Sequence, residues 1–282
     1  MIIDQTITRP ALRYYGSQWN NAPWIISHWP THHTRIIPFA GGLNEELRAP
    51  IAQLTNAGDL DGRVCNFFQM LRNRRDDLIH AIRYTPWHES EYLTSKTAVN
   101  DPLEDARRFW CTCWMSVQGG PNPGNSGFRW QRSIENRWNV PAQDGIDILH
   151  LYAVADRLAH IHFFNRDGRE LIEKHIGNEG ALIWCDPPFE ASTRANKGRG
   201  YSHETDEQLH RDTAALLHRH VGYALITGYD CDLYQELYAD WLRVDKTCRT
   251  TGEDRIQSLW LSPRTWSALE RERMPLFAHF MT

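Results

Sequence analysis

The run Ala181-Leu182-Ile183-Trp184-Cys185 constrains the fold of this chain more than any other segment. Five consecutive apolar residues read as a buried strand. The run ends in Asp186-Pro187-Pro188-Phe189, and the prolines stop the ladder because neither has a backbone N–H to donate. A carboxylate is left at the carboxyl end of a strand, where open α/β sheets bind ligands. An acceptor-only group, a free carbonyl and an aromatic face then meet within four residues. That set suits the grip of an exocyclic amino group on a flat ring. A strand end followed by a Pro-rich turn accounts for the tetrapeptide equally well.

Other strand candidates follow the same logic. Thr34 to Phe39 runs into Ala40-Gly41-Gly42, a turn that permits close approach of a ligand to the backbone, and Asn44-Glu45-Glu46-Leu47 then reads as a helix start. Gly58-Asp59-Leu60-Asp61 precedes a segment with helical apolar spacing at Val64, Phe67, Phe68 and Leu71. An acid about twenty residues after a glycine turn stands where dinucleotide folds bind ribose. Asp59 also suits a helix N-cap, and the two roles are compatible. Ala159 to Phe164 reads as a strand ending at Asn165-Arg166-Asp167, Asp206 to His220 as a helix, and Tyr223 to Thr227 as a further strand. Trp241 to Lys246 and Ile256 to Leu261 form a last strand pair. Strands alternating with helices imply an α/β fold with a mostly parallel sheet.

The chain has 282 residues and a formal charge of −4. Net charge therefore gives no argument for nucleic-acid binding, and any such contact must come from local basic clusters. No apolar run approaches the roughly 18 residues of a membrane span, and Met1 to Pro10 lacks a signal pattern; a cytoplasmic, membrane-independent protein is expected. Six scattered cysteines form no Cys-x-x-Cys pair, so packed thiols are expected and no metal. No phosphate loop of the Gly-x-x-x-x-Gly-Lys type and no Gly-x-Gly-x-x-Gly occurs, which disfavours ATP and NAD chemistry. From about 84 to 150 the chain becomes rich in tryptophan and carries a Gly/Pro/Asn loop at 119–127, with Arg129 and Arg132 beyond it. This stretch reads as an inserted, loop-rich lobe whose tryptophans are mostly core.

In this order the elements resemble the Dam-like family of DNA adenine-N6 methyltransferases, most closely its phage-type members. The resemblance rests on Leu12 to Gln18, Pro38 to Gly42, Gly58 to Asp61 with Asn66-Phe67-Phe68, Asn165 to Asp167, Asp186 to Phe189, Ser192 to Tyr201 and Thr227 to Asp230. It implies a Rossmann-like S-adenosylmethionine-dependent methyltransferase fold. The catalytic domain would comprise residues 1–71 and 159–282, and a target-recognition lobe residues 72–158. It implies S-adenosyl-L-methionine as cofactor, held by Tyr14, Gln18, Phe39, Ala40, Gly41, Gly42, Asp59, Asp167 and Asp186. Asp186, Pro187, Pro188 and Phe189 would be catalytic, acting on an adenine flipped out of double-stranded DNA. Arg129, Arg132, Arg194, Lys197 and Arg199 are candidate DNA contacts. Arg72, Arg74 and Arg75 are candidates too, or the solvated end of a helix. Two residues depart from the family: Gln18 stands where it usually has Lys, and Ile37 where it usually has an acid. These departures keep two alternatives open, a catalytically weak or inactive nucleic-acid-binding protein of the same fold and a methyltransferase acting on RNA.

Overall fold

The computed structural model describes residues 7–117, 119–120, 126–130, 142, 147–193, 206–249 and 254–273. Seven strands form one sheet: β1 (Thr34–Ile37), β2 (Leu54–Asp59), β3 (Ile161–Asn165), β4 (Ala181–Cys185), β5 (Tyr223–Gly228), β6 (Leu242–Arg249) and β7 (Asp254–Leu261). Their order is β3-β2-β1-β4-β5-β7-β6. The first five are mutually parallel, whereas β7 runs antiparallel to both β5 and β6. The chain order reverses between β1 and β4, and such a reversal opens a crevice at the carboxyl ends of the strands.

Both faces of the sheet are covered, which is why its central strands need no polar side. All five residues of β4 are buried, and successive ones serve opposite cores. Leu182 and Trp184 join Ile37, Ala57, Leu225 and Leu259 on one face, beneath α3 (Gly62–Asn73), α6 (Pro102–Met115) and α7 (His150–Leu158). Ile183 and Cys185 join Ile36, Ala224 and Ile226 on the other, beneath α8 (Gly168–Glu173), α9 (Glu207–Arg219) and α10 (Asp232–Leu237). The short helices α1 (Ala22–Ile26) and α2 (Asn44–Arg48) flank β1, and α11 (Pro263–Arg273) follows β7.

The described part of the 72–158 segment differs from the loop-rich reading. It holds α4 (Arg75–Arg83), α5 (Glu89–Ser95) and α6, and the last begins with Asp101 accepting from the Leu103 and Glu104 N–H groups and with Pro102 at its first position. That start is a good helix signal, outweighed in the sequence by the glycines and prolines that follow. Leu78, Ile82, Phe109, Trp110 and Trp114 are buried in the same cluster as Leu182 and Trp184. Trp130 is exposed. The strand expected from Ala159 begins two residues later, at Ile161, and extends to Asn165. The six cysteines are free thiols.

Candidate active site

Register brings the motif residues level with one another. Ile36 pairs with Ile183 across β1 and β4, and Ile37 with Ala57 across β1 and β2. The segments that follow β1, β2 and β4 therefore leave the sheet at the same edge. The turn after β1 is held by the Ala40 N–H donating to the Gly58 carbonyl at 2.8 Å and the Leu43 N–H to the Ala40 carbonyl at 2.8 Å. Gly41 has φ +45°, and a Cβ there would meet the Tyr14 ring at 3.3 Å. The residue is glycine because the backbone is left-handed and an aromatic face lies against it. Leu43 is left-handed too, at φ 54°, a strained conformation for a branched side chain that tends to mark functional turns.

Asp59 closes the turn from β2. Its Oδ2 accepts from the Gly41 N–H at 2.8 Å, and its Oδ1 from the Asp61 N–H at 2.8 Å. The N-cap of α3 is Asp61, whose Oδ1 accepts from the Arg63 N–H. Asp59 is therefore not the cap. Asp167 caps α8, accepting from the Arg169 N–H at 2.8 Å, and the Arg169 guanidinium beside it holds its carboxyl below the usual range. Gly168 lets this corner press on the β1 turn, since a Cβ there would lie 2.5 Å from the Pro38 carbonyl oxygen.

Asp186 is half-buried at the end of β4, and the Pro187 that follows is buried. Burial pushes the Asp186 carboxyl well up; the nearby Glu45 carboxylate pushes the same way, while a hydrogen bond from Gln18 pulls it back. Gln18 is 6% exposed, and its orientation is set by a relay. Asn21 Nδ2 donates to Gln18 Oε1 at 3.3 Å and to Gln257 Oε1 at 2.7 Å. Gln257 Nε2 in turn donates to Thr227 Oγ1 at 2.9 Å. With Gln18 Oε1 occupied as an acceptor, its amide N–H faces Asp186. A neutral donor thus stands where the family usually has a lysine. The N-terminal motif is anchored from the other side by Arg13, which donates through Nη2 to the Val117 carbonyl at 2.8 Å, and by the Gly120 N–H, which donates to the Arg13 carbonyl at 3.0 Å.

The aromatic wall is a pair. Phe189 meets Tyr229 edge-to-face with ring centroids 4.9 Å apart, and the Arg255 guanidinium lies over the Tyr229 ring at 5.5 Å. Tyr229, at the end of β5, completes a surface on which a flat ring can stack.

The basic candidates divide. Arg129 donates to the Trp114 carbonyl at 3.1 Å and lies over the Trp87 ring, so its guanidinium helps hold the turn at 126–130 onto α6. Arg74 pairs with Asp77, and Arg75 with Asp156, which matches a solvated helix end with its charges compensated. Arg132, Arg194, Lys197 and Arg199 lie outside the described residues.

Sequence reasoning missed Glu45, Asn21 and Gln257. Glu45 read only as part of a helix start. The other two have no signal in the chain, because their role depends on β7 returning beside β5.

The profile of the D12 class N6 adenine-specific DNA methyltransferase family matches residues 14–250. No curated protein sequence matches the chain significantly. The match spans every motif between Tyr14 and Tyr229, in a sheet whose strand ends gather those motifs at one crevice, and the chain belongs to the D12 class N6 adenine-specific DNA methyltransferase family.

Proposed function

We propose that this methyltransferase transfers a methyl group from S-adenosyl-L-methionine to the amino group of an adenine flipped out of double-stranded DNA. The observation that carries the reading is Asp186 at the end of β4, level with the glycine turn after β1 and followed by a buried proline and an aromatic wall.

The residues present fit the cofactor. A glycine turn closed by Asp59 and floored by Tyr14 leaves backbone where a Cβ would intrude. The buried Glu45 Oε1 and Asn44 Oδ1 atoms beside it have no hydrogen-bond partner. Tyr14, Gln18, Phe39 to Gly42, Asp59, Asp167 and Asp186 would hold the cofactor. When bound, S-adenosylmethionine supplies an electrophilic methyl group on a sulfonium.

The adenine amino nitrogen is a weak nucleophile because its lone pair is delocalised into the ring. In this reading the Asp186 carboxylate and the Pro187 carbonyl accept hydrogen bonds from its two N–H groups, and the proton that the methylated nitrogen sheds passes to solvent. That draws the nitrogen toward tetrahedral geometry and frees its lone pair for in-line attack. The Asp186 charge also stabilises the positive charge that develops on nitrogen. The Gln18 amide holds Asp186 in place and favours its ionised form. Phe189 and Tyr229 stack on the base. Orientation of this kind supplies much of the acceleration in two-substrate transfers. Extrusion of the base costs a few kcal/mol, offset by backbone contacts from the 72–158 lobe and from Arg132, Arg194, Lys197 and Arg199.

The test is methyl incorporation into DNA by the purified protein, with the product nucleoside identified by mass spectrometry. N6-methyladenine is expected from the wild type and none from Asp186→Ala at an unchanged melting temperature. Product from the variant, or methylation of RNA alone, refutes the reading.

A further inference from the structure

Two neighbouring glutamates of α2 are equally removed from water and treated oppositely by the fold. Glu46 is 1% exposed, and its carboxylate is gripped by Arg35 at 2.5 Å and Arg157 at 2.8 Å. Glu45 is 6% exposed and makes no ion pair among the described residues. Its Oε1 makes no hydrogen bond of ordinary geometry, and the Trp184 indole N–H nearby eases its ionisation without offsetting burial. Beyond α2 its charge acts on Asp186, whose carboxyl it raises. A buried carboxylate with one oxygen unsatisfied, close to a second carboxylate, is an expensive arrangement that a cation relieves.

Building on the proposed function, we infer that Glu45 and Asp186 together seat the protonated α-amino group of the methyl donor, with Glu45 supplying the acid that this chain lacks at Ile37. The placement supports it. Glu45 lies one turn beyond Gly41–Gly42 and near enough to Asp186 to raise its carboxyl, whereas Ile37 is 3% exposed and packs in the core. The available groups are acceptors: Glu45 Oε1, the Asp186 carboxylate and the unpartnered Asn44 Oδ1. A primary ammonium has three donors and no acceptor. An adenine amino group is neutral and cannot offset two carboxylates. Among the described residues no group of three metal-ligating side chains occurs, so the site suits an organic cation.

The proton inventory agrees with the geometry. Burial, with Glu46 adding to it, pushes the Glu45 carboxyl up to about 7, and that of Asp186 is raised as well. The charges near Glu45 are Asp186 from β4, whose carboxyl it raises, and Glu46 on its own helix, the latter compensated by Arg35 of β1 and Arg157 of α7. Glu45 therefore titrates near neutral pH, and an entering ammonium favours its ionised form.

Two ligands that differ only in the ammonium provide the test: S-adenosylhomocysteine and its deaminated analogue carrying a thiobutyrate chain. Calorimetry on the full chain is expected to give about tenfold or more weaker binding of the first to Glu45→Gln, the loss of one charged hydrogen bond, with the second unchanged. On the wild type, titration in buffers of different ionisation enthalpy is expected to show proton release with the first ligand and none with the second. This arm needs no variant and stands even if Glu45→Gln fails to fold. Equal loss for both ligands, no loss for either, or equal proton release overturns the role of Glu45. Failure of the wild type to bind either ligand overturns the cofactor reading and the inference with it.

Discussion

The Gly41 N–H donates to Asp59 Oδ2 at 2.8 Å, so the acid at the end of β2 clamps the glycine turn at the end of β1. The other oxygen of the same carboxylate takes the Asp61 N–H, at the mouth of α3. One side chain thus ties together three of the segments that build the crevice.

Asp59→Ala removes both acceptors and leaves two backbone donors to find other partners. A loss of about 1–3 kcal/mol of stability is expected, together with weaker S-adenosylhomocysteine binding. Urea denaturation and calorimetry measure the two effects; an unchanged midpoint means that the clamp contributes nothing to the fold.

Glu45 and Asp186 give the free protein a pH dependence of defined sign. Both carboxyls are raised in the folded state, Glu45 from 4.5 to about 7. The folded form therefore holds more protons than the unfolded one, and their contribution to stability is lost as pH rises through the folded values. The half-buried His32 and the buried His150, both lowered to about 4 mainly by desolvation, contribute in the opposite sense below about pH 6.5. The informative quantity is the difference between wild type and Glu45→Gln. It is expected to favour the variant increasingly between about pH 4.5 and 7 and to level off above in thermal melts, and a difference that stays flat across that window contradicts the assignment.

Gly168→Ala places a methyl group 2.5 Å from the Pro38 carbonyl oxygen, a backbone atom with little freedom to move. Overpacking of this kind costs about 1–3 kcal/mol. The Asp167 corner is expected to shift away from the β1 turn. A melting temperature equal to that of the wild type would show that the two segments separate freely.

Phe189→Ala removes one wall of the pair with Tyr229, and a stacked base loses about 1–3 kcal/mol of aromatic contact. A fall of roughly tenfold or more in kcat/KM for DNA is expected on that scale. Phe189→Tyr keeps the ring and is expected to remain close to wild type. Steady-state methylation kinetics separate the two variants, and equal activity of all three proteins removes Phe189 from the site.

The sheet was legible because its signals are local. The short runs at 34–37, 181–185 and 223–227, rich in β-branched and apolar residues, need only their own residues to declare a strand, and the glycines and acids that end them follow directly in the chain. The helices between Arg75 and Met115 were less legible, since the glycine-rich stretch beyond them dominates that region. The candidate site divides in the same way. Gly41, Asp59 and Asp186 were identified from motif and position, and the fold brings them to one crevice.

Tertiary structure alone decided which of two adjacent glutamates would find a cation. Glu45 and Glu46 carry the same charge and share a short helix; only the arrival of Arg35 from β1 and Arg157 from α7 distinguishes them. It also decided that Gln18 offers Asp186 an amide N–H, because Asn21 and Gln257 meet across more than two hundred residues of chain. A strand is written in the periodicity of neighbouring side chains, whereas the charge state of a buried carboxylate depends on which distant groups the packing delivers to it.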